Sequence, residues 1–284
     1  ASFMATDELY HGMTVLPEAR VIATARSHKD RGGTGRDEPM LVTTEFGRGR
    51  CFYTALGHEI AAMWEPGFRA TLIRGTEWAA SGKVTLPPEV GWPKADPQAL
   101  RVLVVTGGHD YHPAFYSLFE QIPGVQWRHV PAAAEAFRAD LRPNTDVIVL
   151  YDMTRSLPAP ARQNLKDYLE SGRGLVVLHH ALADYQDWDW WAEEVVGARY
   201  LLEPKGDRPG STYLHDQWVE ASPAANHPVV GDIGPVRLLD ETYKGVWQSP
   251  RIKPLLSTSN PTSDRVIAWI GPWEKSRVVG IQPG

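Results

Sequence analysis

A chain of 284 residues, 43% hydrophobic and 22% charged, has the material for one large domain or two ordinary ones and is not disordered throughout. A net charge of -5 without a basic tract argues against nucleic acid as the main partner, and no apolar run approaches the roughly 18 residues of a membrane span. One cysteine, Cys51, excludes a disulfide framework and a cysteine metal cluster.

No charged, apolar, small-residue order follows Ala1, which reads as cytoplasmic; a secretion signal lost from an incomplete N-terminus is the alternative. Arg20 to Ala25 is a short strand, and the charged, glycine-rich His28 to Asp37 a loop. Met40–Thr44 and Arg50–Ala55 predict a hairpin about Phe46-Gly47-Arg48-Gly49. Cys51, inside the second strand, reads as a small core residue. Pro66 to Ala80 predicts a helix with Phe68, Leu72, Ile73 and Ala79 on one face, stopped at Gly82. Pro87 to Pro97 is proline-rich. The expected division is therefore residues 1–90, a linker at 91–98, and residues 99–284.

Val102 to Val105 is a buried strand running into Thr106-Gly107-Gly108-His109-Asp110-Tyr111-His112, and Pro113 opens the next helix. Val125–Val130 and Val147–Leu150 are further strands. Pro158 to Ser171 is a helix with Ala161, Leu165, Tyr168 and Leu169 on one face and Gly172 at its end. Gly174-Leu175-Val176-Val177-Leu178 then reads as a central strand buried on both faces, ending in His179 and His180. Strands alternating with helices predict parallel βαβ units. Ligands in such sheets bind at the carboxyl ends of the strands. Trp188, Trp190 and Trp191 are core residues or flat faces for a sugar ring. From Tyr213 onward the pattern is β-rich: 213–220, 254–257, 266–270 and 277–281.

Those last segments repeat the start. Asp7-Glu8-Leu9-Tyr10-His11-Gly12 is echoed by Asp240-Glu241-Thr242-Tyr243-Lys244-Gly245, and the spacing from Arg50 to Gly57 equals that from Arg277 to Gly284. The chain thus reads as the second half of one module followed by most of another. The second copy lacks counterparts of His58 and the Pro66–Ala80 helix. That helix is expected to cover its sheet as well, within the chain or by a swap between copies, bringing His58 to the histidine cleft.

Val102–His112, Gly174–His179, His227-Pro228, Asp240-Glu241-x-Tyr243, Thr43–Arg50, Leu56-Gly57-His58 and Arg74–Ala80 together resemble ThuA-like (trehalose utilisation) domains. The resemblance implies a flavodoxin-like α/β fold of the class I glutamine-amidotransferase type: a mostly parallel sheet with helices on both faces, plus β-rich additions. It also implies a link to disaccharide and 3-keto-sugar metabolism. The amidotransferase relatives place a nucleophilic cysteine at the turn after a buried strand. Here that turn holds His179 and His180, so the chain is not a cysteine-dependent amidotransferase.

Turns after neighbouring strands lie side by side, so His109, His112, His179 and His180 are expected to converge. Imidazoles there exchange protons near neutrality or bind a zinc-type divalent ion, with His109 and His179 as the ligands. His112 beside Pro113 reads equally well as a turn residue. His28, His129 and His215 lack such a setting. Asp184 orients an imidazole or caps a helix. Asp240, Glu241 and Tyr243, with His112 and His58, are candidate sugar-binding groups; loop capping by Asp240 explains the motif as well. Two functions follow. One is a carbohydrate-active enzyme acting on a keto-sugar or disaccharide derivative, by isomerisation or by elimination and hydration, with His179, His180, His109 and Asp184 carrying proton transfer. The other is a non-catalytic sugar-binding or scaffolding module of a larger tandem protein. The expected partners are a small-molecule sugar and, through oligomerisation or a segment swap, a second copy.

Overall fold

The computed structural model describes residues 3–58, 60–87 and 96–284, so most of the linker expected at 91–98 lies outside the described residues. The chain forms two compact units. One comprises Ala1–Gln98 and His112–Gly124; the other comprises Ala99–Tyr111 and Val125–Gly284.

In the first unit β1 (Arg20–Arg26), β2 (Asp37–Phe46) and β3 (Gly49–Thr54) form an antiparallel sheet in that order. Gly47, at φ 57°, makes the hairpin turn that the Phe46–Gly49 sequence predicts. α1 (Ile60–Trp64) leads to α2 (Pro66–Ser81). Gly82 closes α2 in the left-handed region and donates its amide to the Trp78 carbonyl. Arg50 of β3 binds the same helix end, through Nε to Trp78 O and Nη2 to Ala80 O.

The buried side of α2 differs from the periodic reading. Phe68 is buried, but Leu72 and Ile73 are exposed, and Gly67, Ala70 and Gly75 complete the inner face. The reason is close approach: a Cβ on Gly75 would stand 2.2 Å from the Phe52 ring of β3. Small residues let the helix sit directly on the strand, and the larger aliphatic residues turn outward. Cys51 is likewise exposed, because strand alternation buries Phe52 more than its neighbour. A 3-10 turn at Pro113–Tyr116 and α3 (Ser117–Glu120) complete this unit. Tyr116 is buried with its ring 6.3 Å from Trp64, and Arg69 pairs with Glu120 at 2.9 Å.

The second unit holds a nine-stranded sheet. Its strands are β4 (Leu100–Gly107), β5 (Val125–Val130), β6 (Val147–Asp152) and β7 (Gly174–Leu178), then β9 (Thr212–Pro223), β10 (Val236–Lys244), β12 (Lys253–Thr258), β13 (Val266–Ile270) and β14 (Val278–Ile281). β8 (Ala198–Arg199) and β11 (Trp247–Gln248) pair separately. The order is β10-β9-β12-β13-β14-β7-β6-β4-β5. From β14 to β5 all pairs are parallel; from β10 to β14 all are antiparallel. This is the expected α/β fold, and the β-rich additions extend the same sheet. β7 lies between two parallel neighbours, as its unbroken apolar run requires.

α4 (Ala133–Ala136) and α5 (Ala159–Glu170) pack into the core. α5 buries Ala161, Leu165, Tyr168 and Leu169, the stripe its periodicity predicts. Gly172 follows at φ 87°, and the Tyr168 hydroxyl donates to the Gly174 carbonyl, fixing where β7 begins. Trp191 is buried, Arg162 lies 5.4 Å over the Trp188 ring, and Lys166 lies 5.5 Å over Trp190. These cations occupy the faces that the sequence suggested for a sugar.

Candidate functional site

β7 ends in a 3-10 turn, His179–Ala183, in which His179 is held at φ 52° and is buried. A non-glycine residue in the left-handed region is uncommon, and such backbone collects at sites that need a side chain aimed one way. The aim is visible. His179 Nδ1 stands 2.7 Å from the Gln282 carbonyl, which can only accept, so Nδ1 carries the proton. Nε2 is left with its lone pair, 3.2 Å from the Tyr243 hydroxyl and 3.5 Å from Glu241 Oε2. The Tyr243 ring stacks on the imidazole at 5.0 Å, and Tyr200 closes on Tyr243 at 4.8 Å. Burial pushes the Tyr243 phenol far up, so it stays a donor.

Glu241 arrives from β10. Burial works to raise its pKa, but the hydrogen bond and charge that His179 offers once its Nε2 is protonated, with smaller contributions from His180 and His215, outweigh that and the carboxyl is lowered. His180 stacks on His109 with ring centres 4.1 Å apart and planes 17° apart. Burial first, then the neighbouring His179 and His109, bring the His180 pKa down to about 4. The ring is therefore neutral at pH 7, and its Nδ1 is buried with no partner among the described residues. His179, His180 and Glu241 each offer one donor atom within 4.8 Å of the others.

The convergence read from the two turns thus holds for His109, His179 and His180. His109 itself has both nitrogens against carbonyls, Nδ1 to Asp110 at 3.0 Å and Nε2 to Tyr151 at 2.8 Å. Both of its nitrogens face backbone carbonyls, so the group whose ligand atoms face one another is His179, His180 and Glu241 rather than His109 and His179. His112 falls in the first unit, where its Nδ1 accepts from the Ala114 amide: the turn role. His58 is also in the first unit, with Nδ1 3.4 Å from Glu8 Oε2.

Asp184 neither orients an imidazole nor opens a helix. It ends the 3-10 turn, accepts from the Thr154 amide at 2.6 Å, and is hydrogen-bonded to Asp152. Both carboxyls are fully buried, and Asp152 also accepts from the Thr154 hydroxyl. Burial raises both pKa values, to about 6 for Asp152 and further for Asp184, so the pair retains a proton. Asp240 has both oxygens on backbone amides, of Glu241 at 2.7 Å and Gly284 at 3.0 Å. His129 is a satisfied core histidine, 2.7 Å from the Thr106 hydroxyl and brought down to about 4 by burial. His215, dismissed on sequence, stands with Nδ1 3.8 Å from Glu241 Oε2. A register shift and Asp216 at φ 56° aim it there, and no sequence pattern announces such a bulge. A cavity of about 970 Å³ lies elsewhere, in the first unit, lined by Leu41, Phe52, Arg74 and Trp78 among others. It contains no histidine, and we assign the chemistry to the histidine cluster instead.

The family model described as "ThuA: Trehalose utilisation" matches residues 1–79 and 101–284. The chain belongs to the ThuA family. A ThuA-like protein of Parabacteroides merdae ATCC 43184 superposes on this ThuA chain with a TM-score of 0.55 at 15% identity, over 65% of this chain and 79% of that one. The cold-adapted β-galactosidase of Rahnella sp. R3 reaches a TM-score of 0.50 at 12% identity, over 74% of this chain and 32% of its own. A glutamine amidotransferase of Thermotoga maritima matches at a TM-score of 0.40 and 10% identity, over 65% and 75%. No protein with a curated description matches the sequence. The likeness to the Parabacteroides and Rahnella proteins shows the fold of the ThuA chain alone; its chemistry has to be argued from the site.

Proposed function

We propose that this ThuA protein catalyses proton transfer beside the carbonyl of a keto-sugar or keto-disaccharide. The observation that supports this best is His179: one ring nitrogen anchored to the Gln282 carbonyl, the other bare and facing Tyr243 and Glu241. An imidazole held in one tautomer with its basic nitrogen in a cleft is a general base. A carbon next to a ketone is the acidic carbon of such a sugar. His179 Nε2 takes its proton, and the electrons move into the C–C bond as the ketone oxygen gains negative charge. Tyr243, a donor throughout, stabilises that oxygen. Return of the proton to the former carbonyl carbon, with a hydroxyl proton passing between the oxygens, is isomerisation. Departure of the glycosidic oxygen β to the ketone instead, carrying off the proton that His179 took, is elimination, and water then adds across the new C=C bond. Glu241 stabilises the imidazolium.

The test is turnover of 3-keto-disaccharides by the full chain. Glu241→Gln should cut kcat by about 10²–10⁴-fold, the range of a lost acid–base partner. Binding of the sugar with no turnover would favour the non-catalytic module. A second reading rests on the donors themselves. Two ligands on a tetrahedral zinc ion stand about 3.3 Å apart, close to the 3.5 Å between His179 Nε2 and Glu241 Oε2. A zinc titration showing one equivalent bound, and lost in His180→Ala, would make His179 a ligand rather than a base.

A further inference from the structure

We infer that Asp240 is a positioning residue that holds two of the three partners of His179, Gln282 and Glu241, in place, and that it does not touch substrate. The inference deepens the proton-transfer reading and rests on it for the effect on rate.

Beside the Tyr243 hydroxyl, two atoms set the direction of His179. The Gln282 carbonyl fixes Nδ1, and Glu241 faces Nε2. They come from segments far apart in sequence. Asp240 joins those segments: Oδ1 accepts from the amide of Glu241, and Oδ2 accepts from the amide of Gly284, two residues beyond Gln282. The second segment must also lie close to the histidine. A Cβ on Gly284 would stand 2.5 Å from the Cβ of His179. With both oxygens engaged by backbone N–H groups, the carboxylate is committed to the protein.

The first unit contains the same device, built independently from the repeated sequence. Asp7 Oδ1 accepts from the Glu8 amide at 3.0 Å and Asp7 Oδ2 from the Gly57 amide at 2.5 Å; Oδ1 also accepts from His58 at 3.1 Å. The Asp-Glu pair, the glycine and the oxygen assigned to each amide correspond one to one. There too the glutamate faces an imidazole, Glu8 Oε2 being 3.4 Å from His58 Nδ1. The recurring product of the clamp is a glutamate set against a histidine. An aspartate retained for sugar contact would have no reason to repeat these two backbone bonds.

Asp240→Asn and Asp7→Asn make the same local change, replacing one acceptor oxygen by an amide that repels an N–H. Both are expected to lower Tm by a similar amount. Only Asp240→Asn should disturb His179, and ¹⁵N NMR of the imidazole in the full chain reads this without any substrate. The wild type and Asp7→Asn should show Nδ1 protonated and Nε2 bare, and Asp240→Asn a mixture of tautomers. With a 3-keto-disaccharide, Asp240→Asn should lose about 10²-fold in kcat, the cost of a misplaced group, with KM within twofold. Should Asp240→Asn fail to fold, Gly284→Ala forces the same segment away from His179 and should give the same mixed tautomer. An unaltered His179 signature in the folded variant, or a raised KM at unchanged kcat, overturns the inference. If the wild type turns over no keto-sugar, the function reading falls, while the tautomer measurement still decides the clamp.

Discussion

Asp152 and Asp184 show how far a single pair of side chains departs from what its sequence position suggests. They sit fully buried between the end of β6 and the end of the histidine turn, hydrogen-bonded to each other and to Thr154. Both have folded pKa values above the ordinary carboxyl range. A carboxyl shifted upward contributes stability that is complete below its unfolded pKa, about 4, and is lost as pH rises through the folded value. The loss should therefore begin at about pH 4, be complete for Asp152 at about pH 6, its folded value, and run to higher pH for Asp184. Urea unfolding of the wild type at pH 5, 7 and 8.5 should show a decline. Asp184→Asn, which keeps an acceptor for Thr154 and offers a donor to Asp152, should flatten it by on the order of 1–3 kcal/mol. A variant with the same slope as the wild type would mean that the pair does not share a proton. The candidate site residues were legible at this scale only in part. His179 and His180 followed from a strand end, and Glu241 and Tyr243 from a motif, but the Gln282 carbonyl that sets the tautomer has no side-chain signature at all.

Short apolar strands beside a glycine and a helix with one apolar stripe were readable from their hydrophobic pattern: β7 and β13 begin and end where the apolar runs do, and α5 buries its stripe. The β10 strand was not read as one, since its inner face mixes Asp240, Thr242 and Leu238 rather than alternating cleanly. α2 exposes a second limit. Its position and its glycine stop were legible, but its buried face was set by Gly75, whose contribution is the absence of a side chain. Gly75→Ala should accordingly destabilise the chain by about 1–3 kcal/mol through overpacking against Phe52, although alanine is the better helix former. Thermal unfolding checks this. A Tm equal to or above that of the wild type would show that α2 shifts to accommodate a methyl group.

At the scale of the whole chain, the repeat read from sequence has a structural counterpart: β1-β2-β3 and β12-β13-β14 are the same antiparallel arrangement, each ending in a glycine bound by an aspartate. Division into units, however, does not follow the chain. Residues 112–124 belong with the first unit, and their Tyr116 and Phe119 are buried. A fragment of residues 99–284 should thus be less stable than the full chain, losing roughly 1.5–3 kcal/mol for each large side chain exposed. Denaturant titration reads the difference, and equal stability would show that this segment needs no partner. The central claim is proton transfer by His179 beside a sugar carbonyl. Its most direct measurement is deuterium incorporation from D₂O into a 3-keto-disaccharide, followed by ¹H NMR. The account predicts loss of the C–H signal next to the ketone with the wild type, and a rate no faster than the enzyme-free control with His179→Asn. Exchange at the wild-type rate in His179→Asn, or none above that control with the wild type, would contradict it.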